Sequence, residues 1–206
     1  MYSKRSGLIL GFHGCDKKLR DNIVSKQGYV LNSSENKYDW LGNGIYFWEN
    51  NKERALQFAK ELKINPPKGK ENLITEPAVL GVILDLGFCL DLLDSEYLKV
   101  LKQSYNFLCK SSELYNKTIP KNIIKDGELM LRNLDCAVIE TTHQLNAQLG
   151  SNDYDSVRGV FFEGENLYEN AGFKEKNHIQ IAIRNPNCIK GYFIPRELDK
   201  KFDKIK

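Results

Sequence analysis

Nothing in this 206-residue chain approaches the run of roughly 20 apolar residues that a membrane-crossing helix needs. The short apolar segment near its start, Leu8 to Phe12, is too brief for a signal-peptide core. Both absences predict a cytoplasmic protein that does not engage a membrane. The five cysteines (Cys15, Cys89, Cys109, Cys136 and Cys188) are odd in number, scattered, and lack both a C-x-x-C pair and histidines in ligand register. This pattern predicts reduced thiols and excludes a zinc ribbon, so no metal site is expected. There is no P-loop and no H-E-x-x-H, and Gly42-x-Gly44 lacks the third glycine of a dinucleotide fingerprint. Repeats, low-complexity tracts and linkers are absent as well, so residues 1–206 read as a single domain.

What remains is ordinary globular composition: 41% hydrophobic and 28% charged residues exclude a disordered or collagenous chain. The net charge of +3 is unevenly spread, with 13 Lys/Arg against 7 Asp/Glu in residues 1–70. Such an excess steers phosphate-bearing ligands, and with exposed aromatics it supports one reading as a nucleic-acid-binding domain.

Hydrophobic periodicity places a strand over residues 7–13 and a helix from Asp16 to Gln27. A helix over 52–63 buries Ala55, Phe58, Ala59 and Leu62 and is capped by Asn50 or Asn51. Ala78–Leu86 reads as an inner strand, Asp94 caps a further helix, and residues 127–149 read as another, leaving His143 facing solvent. Strands return at Val157–Phe162, His178–Arg184 and Cys188–Ile194. Strands at both ends around a helical middle make the class α+β, with residues 90–150 as a helical insertion.

Two segments carry candidate chemistry. Phe12-His13-Gly14-Cys15 ends a strand with a histidine and a glycine whose bare backbone can approach a ligand; His13 and Cys15 also permit a Cys-His pair by spacing alone. Tyr38 to Trp48 holds five aromatics within eleven residues and contains Gly42-Asn43-Gly44-Ile45-Tyr46-Phe47, followed by Ala55 nine residues after Tyr46. Together these resemble the ADP-ribosyltransferase superfamily, in the His-Tyr-Glu branch of diphtheria toxin and the poly(ADP-ribose) polymerases. Members of that branch carry His-Gly-Ser and Gly-Lys-Gly-Ile-Tyr-Phe-Ala. A third block, Gln180-Ile-Ala-Ile-Arg-Asn-Pro186-Asn-Cys-Ile189, follows the strand that begins at the family's catalytic glutamate, with Gln180 in its place. The similarity covers residues 11–16, 40–59 and 178–194.

The resemblance implies a split β-sheet core and NAD as substrate, with His13, Tyr46 and Gln180 as catalytic residues meeting in one cleft. By analogy His13 bonds a ribose hydroxyl, Gly14 holds the carboxamide, and Tyr46 stacks on nicotinamide. Phe58, or Gln57 by strict counting, supplies the opposite wall. Gln180, in the place of the catalytic glutamate, bonds a hydroxyl but carries no charge, which disfavours chain elongation. The implied activity is mono-ADP-ribosylation of a protein or nucleic-acid acceptor, as in an intracellular toxin or defence factor, with Glu163 or Glu175 as substitute carboxylates. The alternative is a catalytically silent module binding NAD or ADP-ribose.

Overall fold

The structure is a computed structural model that describes residues 7–26, 28–67, 74–125 and 128–203. The chain runs β1 (Ile9–Asp16), α1 (Lys17–Ser25), β2 (Ile45–Glu49), α2 (Lys52–Ile64), β3 (Pro77–Leu84), β4 (Cys89–Asp91) and α3 (Ser95–Leu114). It continues through β5 (Ile123–Lys125), β6 (Glu128–Leu131), α4 (Asn133–Gln148), β7 (Ser156–Phe161), β8 (His178–Ile183) and β9 (Ile189–Phe193). The α+β class is as expected. Seven strands form one sheet in the order β4-β7-β8-β2-β1-β3-β9, and β5 and β6 pair separately. Within the large sheet only β4 and β7 run parallel.

Short polar side chains start the helices where the sequence places them. Asp16, Asn51 and Asp94 accept hydrogen bonds from the first-turn amides of Lys18, Arg54 and Glu96, satisfying donors with no partner inside the helix. The expected helix over 127–149 is shorter at its start, because Glu128–Leu131 pairs with Ile123–Lys125 and α4 begins only at Asn133. The hairpin removes those residues from the helix, and the apolar stripe read from Leu131 onward spans two elements. The segment expected as a helical insertion over 90–150 is not all helix: Cys89–Asp91 forms β4 beside β7 in the main sheet.

Strand alternation gives the sheet two packed faces. On one, Ile45, Phe47, Leu80, Val82, Leu84, Ile181 and Ile183 form a core with Ile23 of α1 and Leu31. On the other, Val157, Phe161 and Ala182 pack with Leu41, Leu90 and Ile139, while Phe12, Trp48 and Val79 pack on Ala55 of α2. Arg158 of β7 joins the first face by bonding Glu49 of β2 at 2.5 Å and Asp91 of β4 at 3.1 Å, all three largely shielded from water. No helix among the described residues is long and apolar enough to cross a membrane, and Cys15, Cys136 and Cys188 are buried thiols.

Candidate functional site

The three sequence blocks fall on neighbouring strands: His13 on β1, Tyr46 on β2 and Gln180 on β8. Their side chains are not all on one face. Phe12 pairs with Trp48 and Trp48 with Gln180, so Phe12, Trp48, Gln180 and, two residues back, Tyr46 share a face. His13 follows Phe12 and therefore points to the other side, where its ring meets Phe47 edge-on at 5.9 Å. Tyr46 and Gln180 thus share a face of the sheet, and His13, expected beside them, lies on the opposite one.

His13 still touches β2. Pairing between β1 and β2 stops after Gly11↔Glu49 and Phe12↔Trp48, whereas β1 and β3 pair over eight positions. Where the strands part, His13 Nδ1 donates to the Tyr46 carbonyl at 2.8 Å. A carbonyl only accepts, so Nδ1 carries the proton and Nε2 is an acceptor with no partner among the described residues. Burial lowers the imidazole's pKa, and the bond to Tyr46 only partly offsets it.

Tyr46 is an anchor. Its hydroxyl donates to the Gly42 carbonyl at 2.6 Å and accepts from the Leu41 amide at 2.9 Å, and burial raises its phenol pKa. The turn it holds needs its glycine twice over. Gly42 has φ +73°, and a Cβ there would come within 2.5 Å of the Glu140 carboxylate. Gly14 is equally constrained, since a Cβ would lie 2.0 Å from the Ala55 carbonyl of α2. Its bareness thus serves the close approach of a helix. Phe58 lies against the Trp48 indole with ring centres 4.9 Å apart, while Gln57 is exposed. Trp48 stands where the family motif has alanine, and its 3% exposure means the indole fills the space beside Phe58.

Gln180 is half-buried, and its amide makes no hydrogen bond among the described residues. Two residues earlier on the same face, His178 donates from Nδ1 to the Lys176 carbonyl at 2.6 Å and sits among Trp40, Trp48 and Phe161. Its pKa is lowered, mainly by burial. Of the two substitute carboxylates, Glu175 is exposed and Glu163 is shielded, both of its oxygens taking the Arg54 guanidinium at 2.8 Å. Glu163 also lies 3.9 Å from His178 Nδ1. Arg132, just before α4, covers Trp40 at 4.5 Å and Phe161 at 4.8 Å.

Arg54, Arg132 and Trp40 are the neighbours of the site that periodicity does not flag. Arg54 sits on α2 beside Ala55 as one more basic helical residue, and only its 4% exposure betrays an inward role. The Trp48 indole N–H, Arg54 Nε, Arg132 Nε and His178 Nε2 are all buried without a hydrogen-bond partner among the described residues. That concentration marks a polar centre with unspent hydrogen-bonding capacity beside Gln180. Among the described residues no group of three or more His, Cys, Asp or Glu side chains is arranged to hold a metal ion.

No protein-family model and no solved structure matches the chain. It is similar to an uncharacterized protein of the archaeon Methanocaldococcus jannaschii, 26% identical over 211 aligned positions that cover 92% of this chain and 89% of that one.

Proposed function

We propose that this chain binds NAD and transfers one ADP-ribose unit to a protein or nucleic-acid acceptor. The observation that carries the reading is the placement of three sequence-distant motif blocks on three adjacent strands, β1, β2 and β8, with the pairing between two of them broken at His13. In such a transfer the bond between nicotinamide and ribose breaks, its electron pair leaving with the nicotinamide nitrogen. The ribose carbon becomes positive, and an acceptor lone pair closes on it as the acceptor loses a proton.

The roles suit the residue chemistry. The free amide of Gln180 bonds a ribose hydroxyl, while His13, on the opposite face, keeps Nε2 as a neutral acceptor where β1 and β2 part. Tyr46 holds the turn at Leu41–Gly44, and the Trp48–Phe58 pair supplies the aromatic wall on the Gln180 face. Gln180 brings no charge to the developing cation. Glu163 is the shielded carboxylate on that side, held by Arg54.

A second reading, a silent NAD- or ADP-ribose-binding module, is favoured by two details. The Trp48 indole occupies the space beside Phe58, and Glu163 is already neutralised by Arg54. The test is nicotinamide release from NAD by wild type, Gln180→Ala and Gln180→Glu. The transferase reading expects release that falls in Gln180→Ala and rises by roughly 10²–10³ in Gln180→Glu, where a carboxylate faces the oxocarbenium ion. Saturable NAD binding without release in any variant establishes the silent module. Absence of both overturns the NAD reading altogether.

A further inference from the structure

Away from Gln180, at the far end of β8, lies a concavity of about 710 Å³ lined by Glu35, Asn43, Glu140, His143, Asp153 and Arg184, among others. Arg184 is four residues beyond Gln180, about 13 Å along an extended strand, so this concavity is separate from the proposed transfer centre. Its most informative member is His143. The imidazole is only 6% exposed, lines the cavity, and has no hydrogen-bond partner at either nitrogen among the described residues. The reading of His143 as a solvent-facing residue of α4 is therefore corrected: the Tyr154 ring covers it edge-on at 5.8 Å.

The lining charges are one-sided. Four carboxylates, from Glu35, Glu140, Asp153 and Asp155, face the single guanidinium of Arg184. Glu140 is spent on Arg184 at 2.7 Å and on the Asn43 amide at 2.8 Å. Asp155 is spent on the Asn185 side chain at 2.7 Å and the Phe88 amide at 2.8 Å. Glu35 and Asp153 are exposed and make no side-chain hydrogen bond or ion pair among the described residues. Burial first, and the Arg184 charge second, hold His143 down to about 4, so at neutral pH it offers one acceptor nitrogen and one N–H. The unsatisfied capacity of the concavity is thus acceptor-rich and negative. It repels phosphates and suits a positively charged donor.

We propose that this cavity binds the cationic nitrogen end of a small organic molecule, a guanidinium or primary ammonium group, between His143 and the free carboxylates of Glu35 and Asp153. Acceptors from α4 and from the loops before β2 and before β7 match a cation with several N–H donors, and two unpaired carboxylates supply the attraction. The site does not depend on NAD chemistry, so its test is independent of the transferase reading.

The probes are agmatine, which carries both groups, and putrescine, which carries ammonium groups alone. The imidazole resonances of the full chain are followed by NMR at neutral pH, with His143 assigned through His143→Gln. Saturable movement of the His143 signals with agmatine is expected, and the Glu35→Gln/Asp153→Asn double variant should weaken binding by roughly tenfold or more. Those two positions are exposed, so the double variant tests the site even where His143→Gln fails to fold. Equal affinity for both probes assigns the site to ammonium, and preference for agmatine assigns it to guanidinium. No saturable shift, an equal shift with inorganic phosphate, or an unchanged affinity in the double variant overturns the proposal.

Discussion

At the scale of single residues, hydrogen-bond inventory separates anchors from groups free to act. Tyr46 uses its hydroxyl twice within its own turn, whereas His13 keeps Nε2 and Gln180 keeps its whole amide. Tyr46→Phe preserves the ring and strands the Leu41 amide and the Gly42 carbonyl. It should cost about 1–3 kcal/mol in urea unfolding and leave any ring stacking intact. A variant as stable as wild type would show that the hydroxyl anchors nothing. Alternation alone separates Tyr46 from the buried Phe47 and puts His178 on the same face of its strand as Gln180. The facing of His13 is not readable, because it depends on which residue of β1 lies opposite Trp48, a register set by tertiary pairing.

At the scale of elements, α2 is the most legible. Its cap Asn51, its buried Ala55 and Ala59, and Pro66-Pro67 beyond its end are written in the local pattern. What the pattern leaves out is how near the helix comes to β1. Gly14 and Ala55 meet so closely that a methyl group cannot fit between them. Gly14→Ala should force α2 outward and destabilise the fold by about 1–3 kcal/mol or more, even with no ligand present. Unfolding of that variant by urea checks it, and undiminished stability would return Gly14 to a purely ligand-facing role. The hairpin of β5 and β6 is the opposite case. Its short strands carry an Asp126-Gly127 turn signal that the apolar stripe running into α4 masks, so periodicity merges β6 with the helix.

At the scale of the whole molecule, all three histidines have lowered pKa values, and burial is the first cause in each. Above their ordinary value of 6.5 they are neutral folded or unfolded and contribute no pH dependence. Below it the unfolded chain takes protons that the folded chain refuses, at His143 until about pH 4. Stability should therefore fall as pH drops through that window, and His143→Gln should flatten the slope of melting temperature against pH. Asp16 adds a second acid loss. Its carboxyl, bonded to the Glu76, Lys18 and Thr75 amides and the Thr75 hydroxyl, is held down to about 2, so its contribution disappears only as pH falls from 3.8 through that value. A melting temperature indifferent to pH across both windows would contradict these assignments. The order of the sheet has one more consequence, for the making of the protein. β8 sits between β7 and β2, so it joins the β2-β1-β3 half to the β4-β7 half. A growing chain emerging from the ribosome can assemble both halves early, yet each exposes an unpaired strand until residues 178–183 arrive. Translation stalled before His178 would leave the facing edges of β2 and β7 open and inviting association between neighbouring nascent chains, and the arrival of β8 closes both.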